Sequence, residues 1–350
     1  MPKSALSALS VSSEFDLIKR YFVRPRAVDA NAGAAVDESR REPVVLGIGD
    51  DCALLHPADY KEMAISTDML VEGRHFFSGT DPHALGHKAL SVNLSDLAAM
   101  GADPVAFTLA LALPKVDNAW LEAFSAGLFA LADTHACPLI GGDTTKGPLT
   151  ICITVFGHLP WGAALRRDLA MPGDDIWVSG ALGDARLALA LLRNEVVDGQ
   201  PLVLSQAHLD LALHRLHRPT PRIALGIALR DIAHAAIDIS DGLGGDLAHI
   251  LERSKCGAII DVDSLPAGPA LRGQSAALQR GWALSGGDDY ELCFTAPVRK
   301  RDEVLAAGST VNVALTRIGT IVADGGLQLL DAQGQQLTMP VSSFDHFRTT

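Results

Sequence analysis

Between Lys88 and Gly101 the apolar residues Ala89, Leu90, Val92, Leu94, Leu97, Ala99 and Met100 recur at helical spacing and reach most sides of the helix they predict. Such a helix is expected to be buried. Asn93 and Asp96 interrupt it three positions apart, which makes them neighbours on its surface. No Lys or Arg follows Asp96 by four residues, so this carboxylate needs another partner, backbone N–H groups being the plainest one.

The rest of the chain alternates between strand and helix patterns. Ser13 followed by apolar residues through Phe22 predicts a short first helix, and Ala27–Arg41, poor in large apolar residues, reads as a loop. Strand-like runs at Val44–Gly49 and Met63–Asp68 each end in carboxylates, Asp50-Asp51 and Asp68. Pro82 opens the central helix, Val105–Leu113 is a strand, Trp120–Thr134 a helix and Leu149–Phe156 an alternating strand. Before that last strand, Pro138-Leu139-Ile140 leads into Gly141-Gly142-Asp143-Thr144-Thr145-Lys146, whose glycines suit either close approach of backbone to a phosphate or a plain turn.

The pattern breaks at Pro160-Trp161-Gly162, which predicts two domains, residues 1–160 and 161–350. In the second half, Ile176–Ser179 is a strand, Asp184–Asn194 a helix, and Pro219-Thr220-Pro221 precedes another helix. Ala235–Gly242 is a strand whose end carries Asp238 and Asp241, followed by the helix Leu243–Ser254. A second Gly-Gly-Asp, at 286–288, separates two apolar runs within Trp282–Thr295. The expected fold class is α/β with α+β-like mixed sheets.

Composition narrows the function. With 350 residues and 48% hydrophobic content the chain can fill two cores. Its longest apolar run, Val105–Leu113, stops at Pro114 and is too short for a bilayer span, and no secretory signal pattern is visible, so a cytoplasmic protein without a membrane partner is expected. The formal charge of −12 and the lack of a basic stripe with interleaved aromatics argue against a nucleic-acid partner. Five scattered cysteines, with no Cys-x-x-Cys pair, indicate neither a disulfide framework nor zinc and read as small core residues.

Six acids then stand out at element ends or on the buried helix: Asp51, Asp68, Asp96, Asp143, Asp238 and Asp241. Their neighbours are Gly, Ser and Thr, an oxygen-only donor set that favours Mg²⁺, and acids assembled from several elements suit metal ions that bridge phosphate oxygens. Familiar nucleotide motifs are missing: there is no P-loop, no complete Gly-x-Gly-x-x-Gly, no His-Arg-Asp catalytic loop and no Gly-x-Ser-x-Gly elbow.

Gly47-Ile-Gly-Asp-Asp-Cys-Ala-Leu-Leu55, Ser66-Thr-Asp68, Val92-Asn-Leu-Ser-Asp-Leu-Ala-Ala-Met-Gly-Ala-Asp-Pro104, Gly141-Gly-Asp-Thr-Thr145, Asp238-Ile-Ser-Asp-Gly242 and Ser285-Gly-Gly-Asp-Asp-Tyr-Glu291 together resemble, in order, the thiamine-monophosphate kinases. The resemblance runs from about Phe15 to Phe347. It implies the two-domain architecture shared with aminoimidazole ribonucleotide synthetase, a homodimer formed through the first domains, and ATP-dependent phosphorylation of thiamine monophosphate to thiamine diphosphate. Carried over by position, Asp51, Ser66, Thr67, Asp68, Asp96, Asp143, Asp238 and Asp241 would hold several Mg²⁺ ions. Gly142, Asp143, Arg167 and Ser240 would contact ATP, and His75, Asp288 and Phe344 would contact thiamine monophosphate. No protein base is expected. Asp288 stands where the family more often has Glu, and Phe344 where Tyr or Trp is common.

The competing readings are another member of the same superfamily, such as aminoimidazole ribonucleotide synthetase or selenophosphate synthetase, and a non-catalytic nucleotide-binding module. No Cys precedes Gly47, against a selenophosphate synthetase, and retention of all six acids argues against a binding relic.

Overall fold

The structure is a computed structural model that describes residues 14–24, 44–46, 48, 54–55, 58–197 and 199–341. The first half runs α1 (Glu14–Tyr21), β1 (Val44–Leu46), β2 (Leu54–Leu55), β3 (Lys61–Val71), α2 (Pro82–Met100), β4 (Asp103–Leu113), α3 (Asn118–Thr134), β5 (Leu139–Lys146) and β6 (Thr150–Pro160). It continues with β7 (Asp174–Ser179), α4 (Asp184–Leu192), β8 (Val196–Val197), β9 (Gln200–Pro201), α5 (Gln206–His217), α6 (Ile223–Ala228), β10 (Ala235–Asp238) and α7 (Leu243–Ser254). The last stretch is β11 (Gly257–Asp261), α8 (Ala276–Ser285), β12 (Leu292–Pro297), α9 (Arg301–Thr310), β13 (Leu315–Val322), β14 (Gly326–Leu330) and β15 (Gln336–Leu337).

Two mixed sheets organise these elements, as the fold class requires. The order β3-β6-β4-β5 makes a four-stranded sheet in which only β4 and β5 run parallel. The order β10-β12-β7-β13-β11-β14-β15 makes a seven-stranded sheet, parallel only at β11 and β14.

α2 joins the two halves. Asp81 caps it, Oδ2 accepting the Ala84 N–H at 3.0 Å, and Pro82 starts it where a missing N–H costs nothing. Gly101 ends it at φ 69°, and the Ala102 N–H returns to the Leu97 carbonyl at 2.8 Å. Between these caps the helix is buried on nearly all sides, packing on α3, β3 and β6 and, from the second half, on α6 and β10. One apolar cluster accordingly runs from Leu90, Phe107 and Phe124 to Trp177, Phe294 and Val304.

Several elements differ from the sequence pattern. Gly141–Lys146 is neither a turn nor a loop but the body of β5, paired in parallel with β4. α5, β11, β13 and β14 are absent from the pattern read above. α5 does carry apolar residues at helical spacing, Leu209, Ala212, Leu213 and Leu216, of which only Ala212 and Leu216 are buried, whereas β11 is covered on most positions and shows no alternating stripe. Cys137, Cys256 and Cys293 are buried and Cys152 half-buried, all as free thiols. Among the described residues no helix is long and apolar enough to cross a membrane. The loop expected at Ala27–Arg41 lies outside the described residues.

Candidate functional site

The polar interruptions of α2 are the hinge points of the site. Asn93 turns its carboxamide to the edge of β3, where Oδ1 accepts the Asp68 N–H at 3.0 Å while Nδ2 donates to the Ala89 carbonyl at 2.9 Å. One turn along, the Ser66 hydroxyl donates to Asp96 in a short hydrogen bond, and Ser95 Oγ donates to Asp238 Oδ2 of β10 at 2.8 Å. A single turn of helix therefore fixes carboxylates from β3 and β10 beside its own. The turn after β10 is held by the Asp246 carboxylate, which accepts the N–H groups of Asp241 and Gly242 at 3.1 Å each.

These acids repel one another. Burial first, then Asp96 and Asp241, push the Asp68 pKa up from 3.8 to about 6. Asp238 rises to about 8 through burial and then Asp96, although the Ser95 hydroxyl favours its charged form. Asp96 is raised by burial against the opposing effects of Ser66 and Arg167. Among the described residues, Asp68, Asp96 and Asp238 have no ion pair with any Lys or Arg. Crowded carboxylates whose charge is disfavoured suit a hard divalent cation. No group of three or more His, Cys, Asp or Glu side chains among the described residues closes around a single point.

Beside the acids lies a cavity of about 610 Å³, lined by Ser66, Asp96, Arg167, His249, Glu252 and Arg253 among others. Arg166 is occupied by Asp168 at 2.9 and 2.6 Å, whereas the exposed Arg167 acts electrostatically on Asp96 and Asp238.

The structure brings Ser66, Asp68, Asp96, Asp238 and Asp241 together but not every expected ligand. Alternation along β3 turns Thr67 to the opposite face, where its hydroxyl bonds Thr154 at 2.8 Å. Asp143 is on that same outer face: in register it follows Met69, Cys152 and Ala110 across the sheet, and it is exposed. Gly142 has φ 146°, and a Cβ there would lie 1.8 Å from the Leu109 carbonyl oxygen, so only glycine lets β5 approach β4 at this point. Asp51 and Phe344 lie outside the described residues. His75, half-buried just after β3, accepts the Val71 N–H on Nδ1 at 2.9 Å, which leaves Nε2 to carry the proton of a neutral ring.

Asp288 sits at φ 66° in the turn before β12, with its N–H on the Ser240 carbonyl at 2.8 Å. Its Oδ1 receives Lys88 Nζ at 2.7 Å and the Tyr290 hydroxyl at 3.3 Å. Asn93, Ser95, Lys88 and Tyr290 were not among the expected site residues. A signal existed for the first three, since each is a polar residue inside an apolar helical stretch.

Family models match this arrangement along most of its length: the N-terminal domain of AIR synthase related proteins over residues 49–159, and their C-terminal domain over 171–331. The thiamine-monophosphate kinase of Salmonella typhimurium is 49% identical over 96% of this chain and 98% of its own. The crystal structure of the Stenotrophomonas maltophilia thiamine-monophosphate kinase superposes with TM-score 0.77 at 48% identity, covering 83% of this chain and 92% of that one. A structure described as AaThiL complexed with AMPPCP and TMP gives 0.71 at 30% identity, over 83% and 89%. The chain belongs to the thiamine-monophosphate kinase family.

Proposed function

We propose that this protein transfers the γ-phosphoryl group of ATP to the phosphate of thiamine monophosphate, giving thiamine diphosphate, in the cytoplasm. The observation that carries the reading is the convergence of Asp68, Asp96, Asp238 and Asp241, drawn from both halves of the chain, in a family of this activity. Bound Mg²⁺ supplies the positive charge that two polyanions need in order to approach each other. Ser66, Asp68, Asp96, Asp238 and Asp241 would hold it, with Asp51 as a further ligand, whereas Thr67 and Asp143, whose side chains lie on the outer face of the sheet, would serve only a separate ion. Gly142, Asp143, Arg167 and Ser240 receive the nucleotide, and His75, Asp288 and Phe344 the acceptor. Residues 1–160 supply most of the metal site and the dimer contact, and residues 161–350 complete the nucleotide and acceptor sites.

The acceptor needs no protein base. A phosphate monoester has a second pKa of about 6, so at neutral pH its oxygen is already anionic. The chain's task is to align the two phosphates and to exclude water, and transfer is direct and in line, without a phosphoenzyme. A homodimer is also part of this reading, supported by the outer face of β3, where Met63, Ile65 and Met69 are exposed on one side of an edge strand.

The test is ADP release by the purified chain with thiamine monophosphate, with thiamine, and with neither. Release only with the monophosphate, abolished by chelator, is expected. Equal turnover of free thiamine, or a phosphorylated protein that passes its group onward, would sink the reading. His75→Asn should raise the KM for thiamine monophosphate roughly tenfold with little change in kcat, since the ring is assigned to binding only.

A further inference from the structure

Lys88 is the one lysine of the buried helix α2, 4% exposed, and its partner is on the other half of the chain. Burying an ammonium is costly unless a carboxylate meets it, and Asp288 does so at 2.7 Å. The Tyr290 hydroxyl reaches the same oxygen, Oδ1, at 3.3 Å. No hydrogen bond to Oδ2 is found among the described residues.

The turn that presents Asp288 is rigid. Asp288 and Tyr290 both have left-handed backbones, at φ 66° and 50°, a conformation that persists only where surrounding contacts enforce it. Here the Asp288 N–H bonds the Ser240 carbonyl and the Tyr290 N–H the Ile239 carbonyl, each at 2.8 Å. Between them the Asp289 carboxylate accepts the Gly183 N–H at 2.9 Å, and Arg215 donates to the Asp289 carbonyl at 2.7 Å. Such a turn delivers one carboxylate in one orientation.

We infer that Lys88, with Tyr290, is a positioning residue for the acceptor: the pair holds Oδ1 of Asp288 so that Oδ2 is left to accept a hydrogen bond from the amino group of the substrate's pyrimidine ring. This rests on the assignment of Asp288 to acceptor binding. Lys88 also offsets one carboxylate charge, so that recognition proceeds through a directed hydrogen bond rather than through a freely rotating anion.

The test uses full-length Lys88→Met, Lys88→Arg, Tyr290→Phe, Asp288→Asn and the Lys88→Met/Asp288→Asn double variant, with kcat and both KM values measured and melting followed. Lys88→Met should raise the KM for thiamine monophosphate roughly 10- to 100-fold while the KM for ATP moves less than about twofold. Lys88→Arg should recover part of that loss, and Tyr290→Phe should show a smaller shift of the same kind. The double variant should be no worse than Asp288→Asn alone, because both act through one carboxylate. Additive losses, or equal rises in both KM values with a lowered melting temperature, would make Lys88 merely structural and overturn the inference. If Lys88→Met weakens acceptor binding while Asp288→Asn does not, positioning through Asp288 is overturned with the kinase reading intact. Failure of the wild-type chain to turn over thiamine monophosphate would instead defeat the proposed function itself.

Discussion

Asp238 ends β10 and Glu291 immediately precedes β12, the Ile239 N–H bonding the Glu291 carbonyl at 2.8 Å just beyond the last ladder pair, and they are 4% and 1% exposed. Their surroundings are opposite. Glu291 is gripped by Arg222 through both oxygens, by Arg215 at 3.1 Å and by the Ser179 hydroxyl at 2.6 Å. Asp238 has the Ser95 hydroxyl and, for electrostatic company, Asp96 and Asp246, opposed only by the weaker influence of the exposed Arg167. The fold can plainly neutralise a buried acid with guanidinium groups, and it does so one residue beyond the end of that ladder. Leaving Asp238, Asp96 and Asp68 without such partners keeps their charge available to a ligand, at a cost in stability of the empty protein.

The sharpest way to break this comparison is to treat both acids alike. Glu291→Gln should cost about 3–5 kcal/mol of folding stability, because two largely buried arginines lose their counter-charge. Urea unfolding would measure it, and a loss near zero would remove the structural role given to Glu291. By contrast, Asp238→Asn, Asp96→Asn and Asp68→Asn should each lower kcat roughly 10²–10³-fold while leaving the metal-free melting temperature unchanged or raised. A marked fall in melting temperature in chelator would show that these acids serve the fold.

The smallest effect is the pH dependence, which should run in opposite directions for the two kinds of acid. A carboxyl with a raised folded pKa contributes stability that is fully present below its unfolded value and is lost as pH rises through the folded one. With Asp68 at about 6 and Asp238 at about 8 against an unfolded value of 3.8, the metal-free protein should melt at progressively lower temperature as pH rises from about 4 to 8. Asp175 shows the paired case: burial would raise it, yet hydrogen bonds from Arg301 and Arg317 hold it below 3.8, so its contribution is lost only as pH falls through that lower value. Scanning calorimetry across pH, repeated with Asp238→Asn, tests the sign: the variant should flatten the alkaline decline.

Much of the site was legible because its residues disturb a pattern. Asp96 and Asn93 stand out in α2 since a buried helix tolerates polar groups only when something satisfies them, and Asp238 stands out as an acid closing an apolar strand, whereas Asp68, read as a strand end, lies inside β3, which runs on to Val71. Lys88 offered the same disturbance, but its meaning depended on a partner 200 positions away, which periodicity cannot supply. Thr67 illustrates the converse. Its place in the Ser66-Thr67-Asp68 motif is read directly from sequence, while the side of the sheet it faces follows from the strand's alternation once β3 is docked on α2.

By itself the sequence determined the elements with strong local signals: α2 between its Asp81 and Gly101 caps, α7 across Leu243–Ser254, the strands that deliver acids, and the family, since six motifs in order are far more specific than any one. Tertiary structure alone decided how those acids differ. Local sequence does not separate Asp238, Asp288 and Glu291 by charge environment: each lies within three residues of another acid and has no Lys or Arg within three residues. Whether a carboxylate meets Arg222, Lys88 or only another carboxylate depends on which distant elements pack against it, because charge interactions act through space at a few ångströms and burial sets their strength.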